Sequence, residues 1–101
     1  MNYYVAGVGL DELPVGDLLT VSPNPFSESF ILTPGAQINN VDLRILDMSG
    51  REVYLQEFHE IQPEGAAIGP HTLSNGQYML EVGYYYNGMR GLERHKIQVL
   101  R

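Results

Sequence analysis

The chain has 101 residues, of which 44% are hydrophobic and 18% are charged, and it contains no cysteine. This length and composition predict a single globular domain, and the lack of cysteine excludes disulfides, thiolate metal sites and cysteine nucleophiles. The net charge of −6 argues against attraction to nucleic acid, and no apolar run is long enough for a membrane-spanning helix.

Residues 1–16 are predicted to be a leader that precedes the domain. Within it, Tyr3-Tyr4-Val5 could form a short strand that ends a preceding domain, and residues 7–14 have the composition of a linker. The first residues contain neither Lys nor Arg and no long apolar core, so they are not predicted to be a secretory signal peptide. We therefore expect the chain to be the tail of a longer protein.

Short strands are predicted for residues 17–101. No window of 11 or more residues keeps the apolar spacing of a helix, and Gly and Pro interrupt the chain at short intervals. We predict an all-β fold, an immunoglobulin-like β-sandwich of about seven antiparallel strands. The predicted strands cover residues 18–22, 28–33, 41–47, 51–58, 66–70, 77–86 and 92–100.

The segment Pro23-Asn24-Pro25-Phe26 interrupts the first part of this pattern. Two prolines remove two backbone donors, and Asn24 is held extended because it precedes Pro25. Such a segment is typical of the place where an edge strand ends or changes sheets. We expect Phe26 to anchor the segment in the core.

The clearest hairpin joins the third and fourth predicted strands. A two-residue loop would pair Ile45 with Tyr54, and polar and apolar side chains would then share a face. A three-residue loop pairs Ile45 with Val53 and separates the two kinds of side chain, so we prefer it. This loop places Gly50 where a left-handed backbone is needed. It also sets Asp47 opposite Arg51.

Two further turns are predicted near the end of the chain. Asn75-Gly76 precedes Tyr78, which fits a tyrosine corner, with its ring in the core and its hydroxyl bonded to nearby backbone. The last hairpin turns near Asn87-Gly88. We prefer a four-residue loop that pairs Leu80 with Ile97, because a two-residue turn would pair Leu80 with His95. A bulge at Gly91 would serve as well.

Basic residues are concentrated at the end of the chain. Residues 90–101 contain Arg90, Arg94, Lys96 and Arg101 and one acid, Glu93, whereas the rest is strongly acidic. Solvated basic residues can protect an edge strand from edge-to-edge pairing, and they can also dock on a partner. The residues alone leave both interpretations open.

No catalytic or metal-binding cluster is predicted. His59, His71 and His95 are not at metal-ligand spacings, and no serine lies in a nucleophile elbow. Surface histidines without a role are therefore the favoured interpretation, with the first two in loops. Tyr84-Tyr85-Tyr86 is interpreted as core and sheet-face contacts rather than as a patch that binds a partner.

The order of four motifs resembles a known family. They are Ser22-Pro23-Asn24-Pro25-Phe26, Asp47-Met48-Ser49-Gly50-Arg51-Glu52-Val53, Leu73-Ser74-Asn75-Gly76-Gln77-Tyr78 and Lys96-Ile97-Gln98-Val99-Leu100-Arg101. This order resembles the type A C-terminal sorting domain of the type IX secretion system of Bacteroidetes. The resemblance covers residues 17–101.

The resemblance implies a secretion signal and no enzyme. Family members cross the outer membrane through a translocon, and a shuttle protein takes them to a cell-surface sortase complex that removes the domain. The chain would then direct a cargo protein through the periplasm and outer membrane to the surface or the medium. No cofactor, nucleic acid or small-molecule substrate is implied.

The resemblance also assigns residues. The terminal segment needed for recognition matches Lys96, Ile97, Gln98, Val99, Leu100 and Arg101. The motifs that define the shape match Pro23, Asn24, Pro25, Phe26, Asp47, Gly50, Arg51, Gly76 and Tyr78. Cleavage is expected within residues 6–16. The alternative function is a structural or adhesive immunoglobulin-like or fibronectin-like module. In that case deletion of residues 96–101 would leave secretion of the protein intact, whereas deletion from a sorting domain would leave the cargo in the periplasm.

Overall fold

Two antiparallel sheets form the fold. The computed structural model describes residues 18–101, in which every regular element is a strand. The strands are β1 (Thr20–Ser22), β2 (Phe30–Thr33), β3 (Ile38–Leu46), β4 (Glu52–Ile61), β5 (Ala66–Ile68), β6 (Gly76–Tyr86) and β7 (Met89–Val99). One sheet has the order β1-β2-β5 and the other the order β4-β3-β6-β7. The predicted all-β sandwich of seven strands is confirmed.

The four-stranded sheet has the connectivity of an immunoglobulin-like domain, with β3 and β6 in its middle and β7 at one edge. Within residues 18–101, no helix is long and apolar enough to cross a lipid bilayer. The predicted leader, residues 1–16, lies outside the described residues, together with its strand at Tyr3-Tyr4-Val5 and the expected cleavage region.

The core lies between the two sheets and is built by period-two alternation. In β3, for example, Val41, Leu43 and Ile45 are buried, while the residues between them are exposed. Both sheets and the connections between strands contribute. The buried apolar side chains are Leu19, Phe26, Phe30, Leu32, Ile38, Val41, Leu43, Ile45, Ile61, Ile68, Leu73, Tyr78, Leu80, Val82, Tyr84, Ile97 and Val99.

The Pro-Asn-Pro-Phe segment follows the edge strand β1 and reaches across to the edge of the other sheet before β2 begins. β1 ends at Ser22 in the three-stranded sheet, and Phe26 forms a parallel bridge with Val99 of the four-stranded sheet. The ring of Phe26 is buried and meets Phe30 edge-on, with 5.0 Å between the ring centroids. The predicted end of an edge strand at this segment and the predicted anchor are both confirmed.

The β3–β4 hairpin has the predicted loop but a different register. Leu46 pairs with Glu52 beside the loop, and the register then shifts so that Ile45 pairs with Tyr54. The preferred pairing of Ile45 with Val53 is therefore wrong, because a β-bulge adds one residue to β4. Leu55 consequently faces outward and is exposed.

This register places polar and apolar side chains on one face of the hairpin, and the polar ones bond to each other. Tyr54 and Gln56 both lie half-buried on the inner side of β4, at the margin of the sandwich. The Tyr54 hydroxyl donates a hydrogen bond to Gln56 Oε1 at 2.7 Å. A polar residue on the inner face is tolerated when it has such a partner.

The Asp47 carboxylate holds the β3–β4 loop together. Its Oδ1 accepts hydrogen bonds from the backbone N–H groups of Ser49 (2.9 Å) and Arg51 (3.0 Å) and from the Ser49 hydroxyl (2.6 Å). Gly50 has a φ of 90°, and Arg51 Nε lies 3.2 Å from Asp47 Oδ2, as predicted. The bond from the Ser49 hydroxyl, followed by that from Arg51, lowers the pKa of Asp47 to about 2.

We expect Asp47→Asn to flatten the acid limb of the stability profile. The pKa of Asp47 is about 2 in the fold and about 3.9 in an unfolded chain. The carboxylate therefore stabilises the fold fully above about pH 4, and this contribution is lost as the pH falls towards about 2. Urea denaturation at several pH values should show a shallower fall for the variant than for the wild type.

The matched control for this experiment is Asp42→Asn, an exposed acid of β3 that lies outside the loop. Equal slopes for the wild type and Asp47→Asn below about pH 4 would contradict the role given to Asp47.

The tyrosine corner is confirmed at the start of β6. The Tyr78 ring is buried, and its hydroxyl donates a hydrogen bond to the backbone carbonyl of Ser74 at 2.8 Å. This bond fixes the connection that brings the chain from β5 into the four-stranded sheet.

The β6–β7 hairpin closes through a two-residue turn, so the predicted four-residue loop is wrong. Asn87 and Gly88 both have positive φ, 53° and 76°, as a type I′ turn requires. Leu80 consequently pairs with His95. The prediction failed because it treated a histidine on the inner face as unfavourable, whereas His95 Nε2 lies 3.0 Å from Glu93 Oε1.

Candidate recognition surface on the last strand

The end of β7 presents different residues to the core and to solvent. Ile97 and Val99 are buried in the core, and Gln98 is half-buried. Lys96, Leu100 and Arg101 are exposed. The terminal segment singled out in the sequence therefore holds the fold with its inner side chains and leaves Lys96 and Leu100 accessible.

The Pro-Asn-Pro-Phe segment covers the outer edge of this strand. The Asn24 side chain donates to the carbonyl of Lys96 at 2.8 Å and accepts from the N–H of Gln98 at 3.1 Å. The Phe26 N–H donates to the Gln98 carbonyl, and the Leu100 N–H donates to the Phe26 carbonyl, each at 2.9 Å. A partner strand could add to this part of the edge only if the segment left it. This part of the edge therefore presents side chains, and not free backbone groups, to a partner.

Two of the basic residues near β7 have their charge neutralised by one buried carboxylate. Glu81 of β6 is only 7% exposed. Arg44 contacts its Oε1, and Arg94 Nε lies 2.8 Å from its Oε2. The hydrogen bond from Arg44, with that from Arg94, lowers the pKa of Glu81 despite the opposing effect of burial. Arg94 is therefore part of an internal ion pair as well as of the basic strand.

The remaining cations are less constrained by charge. The Arg90 guanidinium lies 5.7 Å from the centroid of the Tyr85 ring. No residue of the segment 18–101 forms an ion pair with Lys96. Lys96 is thus the one cation of the terminal segment 96–101 that is exposed and makes neither an ion pair nor a side-chain hydrogen bond within residues 18–101, so its charge is available to an external acidic group.

Arg101 is tied to the loop between β5 and β6. Its guanidinium donates to the carbonyl of Leu73 and, at 3.4 Å, to that of Pro70. Its backbone N–H donates to Asn75 Oδ1 at 2.9 Å. Arg101 therefore stabilises the loop that precedes the tyrosine corner.

The sequence reasoning missed a second buried carboxylate, Glu93, which is 8% exposed. It faces the core side of β7 together with His95 and accepts a hydrogen bond from the Tyr84 hydroxyl at 2.7 Å. The available signal was alternation: counting back by two from Val99 passes through Ile97 and His95 to Glu93. The Asn-Gly turn fixes the register that makes this count meaningful.

The histidines are distributed differently from the prediction. His59, expected in a loop, is an exposed residue of β4. His71 does lie in a loop, where its Nδ1 is 3.9 Å from Glu28 Oε1. His95 has the role in the Glu93 cluster described above. Within residues 18–101, no three histidine or acidic side chains are grouped so that they could hold a metal ion.

A shallow depression of about 320 Å³ lies on the outer face of the four-stranded sheet. It forms over Gly83, which has no side chain, between the exposed side chains of Leu55 and Leu92. Its charged rim includes Arg44 and Glu81, which already bind each other. Three of the charged groups of this depression, those of Arg44, Glu52 and Glu81, are thus engaged in the sheet's own ion pairs.

Comparison with known proteins identifies the family. A family model described as a secretion system C-terminal sorting domain matches residues 20–87. This match covers β1 to β6 and contains three of the four motifs, but it ends before the segment 96–101. No curated protein matches the chain. Because the family model covers more than half of the sequence and the fold is the expected β-sandwich, the chain belongs to the family of type IX secretion C-terminal sorting domains.

Proposed function

We propose that this domain directs a cargo protein to the cell surface and that residues 96–101 are the segment read by the export machinery. Domains of this family are sorting signals carried by a cargo and are not catalytic units. In the proposal, the translocon passes the cargo across the outer membrane, a shuttle protein receives it, and a sortase complex removes the domain.

The two-sided character of the last strand is the observation that carries this proposal. Ile97 and Val99 anchor the strand in the core, so the positions of Lys96 and Leu100 are fixed. Lys96 is exposed without an ion pair to residues 18–101, and Leu100 is 51% exposed. A receptor with an acidic group beside an apolar pocket could read both side chains at once.

We further propose that residues 17–101 are the sorting domain and residues 1–16 the leader that the sortase cuts, within residues 6–16. The Gly-rich composition of residues 7–16 supports this assignment, because exposed linkers are accessible to peptidases. Leu19 is 1% exposed, and this burial supports a packed domain that begins at or before this residue.

The test is secretion of a reporter in a bacterium that has a type IX system. The reporter carries an export signal at its amino terminus and the 101-residue chain at its carboxyl terminus. We expect the wild-type fusion in the medium or on the surface. The Lys96→Glu fusion should stay in the periplasm, and the amount exported should fall by at least about tenfold. Reversal of one exposed charge leaves the core intact, unlike deletion of residues 96–101, which also removes Ile97 and Val99.

The matched control is Arg90→Glu, which makes the same charge change on the same strand but outside the terminal segment. We expect it to be secreted like the wild type. Equal secretion of Lys96→Glu and the wild type would refute recognition through Lys96. Equal secretion of the fusion and the reporter without the chain would refute the sorting function.

A further inference from the structure

The Glu93 cluster has no part in the function proposed above, yet it is the most elaborate polar arrangement in the interior. Glu93 lies on β7 only three residues before Lys96. Its carboxylate bonds to the backbone at the very beginning of the described chain, 75 positions away. Burying a charge costs free energy unless its hydrogen bonds are complete, so the partners of this carboxylate decide whether it stabilises the fold.

Each oxygen of the Glu93 carboxylate has two donors or partners. Oε2 accepts from the Leu18 N–H at 2.8 Å and from the Tyr84 hydroxyl at 2.7 Å. Oε1 accepts from the Leu19 N–H at 3.3 Å and lies 3.0 Å from His95 Nε2. One carboxylate thus accepts hydrogen bonds from two successive backbone N–H groups, and these bonds fix the direction of the chain at Leu18 and Leu19.

The electrostatics favour an ionised carboxylate in this place. Burial raises the pKa of Glu93, but the hydrogen bonds from His95, Tyr84, Leu18 and Leu19 together bring it below its ordinary value. Charge-assisted hydrogen bonds of this kind are about twice as strong as neutral ones. The grip on Leu18 and Leu19 is therefore stronger than that of an ordinary loop contact.

We propose that Glu93, held between Tyr84 and His95, is a positioning residue that latches Leu18 and Leu19 to β7 and so fixes the point at which the leader leaves the domain. This inference rests on the proposed function for its biological meaning, since the leader is the segment that the sortase would cut. The latch keeps residues 18 and 19 out of a peptidase's reach, because a protease needs an extended, unbonded backbone. It thereby sets the carboxyl-terminal limit of the cleavable stretch.

Amide hydrogen exchange on the full 101-residue chain tests the latch directly. In the wild type, the Leu18 and Leu19 amides should exchange much more slowly than those of an unfolded chain. Glu93→Gln should accelerate both amides by at least about tenfold, while the amides of Leu43 and Ile45 in β3 keep their protection. Glu57→Gln, an exposed residue of β4, is the matched control and should change neither pair.

A second variant keeps the test decisive if Glu93→Gln does not fold. Glu93→Asp retains the charge but shortens the side chain by one methylene group, so the carboxylate no longer reaches the Leu18 N–H. It should produce the same local acceleration. Thermolysin, which cuts before leucine, should then cleave at residues 18 and 19 in the variants and not in the wild type. Unprotected Leu18 and Leu19 amides in the wild type, or unchanged exchange in the variants that fold, would overturn the latch.

The reporter fusion separates this inference from the sorting function. The Glu93→Gln fusion should reach the medium in wild-type amounts. Mass spectrometry of the released cargo should show several different carboxyl-terminal residues, whereas the wild type should show one. Release of this variant in wild-type amounts with the single wild-type cleavage position would count against the latch alone. Failure of the wild-type fusion to be secreted would count against the sorting function, while the exchange result would stand.

Discussion

Replacing Phe26 with alanine is expected to lower the free energy of unfolding by about 3–5 kcal/mol, the usual cost of removing a buried phenylalanine ring. The ring is 2% exposed and packs edge-on against Phe30. Its backbone also bridges to Val99, so the cavity would open where the two sheets and the last strand meet. Domains of this size have about 5–15 kcal/mol of stability in total, so this loss is severe.

Chemical denaturation by urea, followed by far-ultraviolet circular dichroism, measures this effect. The matched control is Phe58→Ala, because Phe58 lies half-buried in the edge strand β4. The control should cost clearly less, since fewer apolar contacts are lost at a partly solvated site. A cost for Phe26→Ala no larger than that of the control would show that the segment is not anchored by its phenylalanine.

Replacing Gly91 with alanine is expected to destabilise the fold by about 1–3 kcal/mol, the usual cost of overpacking. A Cβ atom on Gly91 would lie 2.6 Å from Tyr84 Cζ and 2.9 Å from the Tyr84 hydroxyl oxygen. The ring would have to move, and its hydrogen bond to Glu93 would then be lost. A buried carboxylate deprived of a donor adds to the cost.

Gly83→Ala is the control for this substitution. Gly83 lies in β6 of the same sheet, and its Cβ would lie 3.3 Å from the guanidinium of Arg90 and 3.9 Å, an ordinary contact distance, from Leu92 Cδ1. Arg90 is exposed and can move aside, so we expect a change within about 0.5 kcal/mol. Thermal unfolding would measure both variants. A similar small effect for Gly91→Ala would mean that the Tyr84 ring can shift without loss of the Glu93 contact.

Much of the fold follows from local patterns in the sequence. Alternation and turn residues predicted all seven strands, because each pattern is decided within a few residues. The Pro-Asn-Pro-Phe segment, the Asp47-Arg51 loop and the Tyr78 corner were predicted for the same reason. In each case the backbone geometry depends on a proline, a glycine or a side chain that bonds to its own loop.

The two registers were mispredicted because both depend on distant partners. The bulge beside Ile45 shifts the pairing of β3 with β4 from Ile45 onward, and no residue within the loop indicates it. His95 looked unfavourable on the inner face, because Glu93, Tyr84 and the backbone of Leu18 and Leu19 had not been brought beside it. Period-two alternation predicts well which apolar side chains are buried. It cannot show whether a buried polar side chain will find its hydrogen-bond partners.

The same limit applies to the candidate surface. The alternation around Ile97 and Val99 correctly indicated which side chains of the last strand would be buried. The occupation of the backbone groups on its outer edge by Asn24 and Phe26, by contrast, was not predicted. The sequence separation of more than 70 residues explains the difference, because nothing local to either segment reveals the pairing.

The pairing of Asn24 and Phe26 with residues 96–100 also bears on when the domain can fold. A ribosome makes Phe26 well before Val99, so the joint between them cannot form until synthesis has passed Val99. Until then Phe26 has no place to bury its ring against the last strand. A chain interrupted before Val99 would lack this joint, so the sandwich of residues 18–101 reaches its final packing only after its last strand has been made.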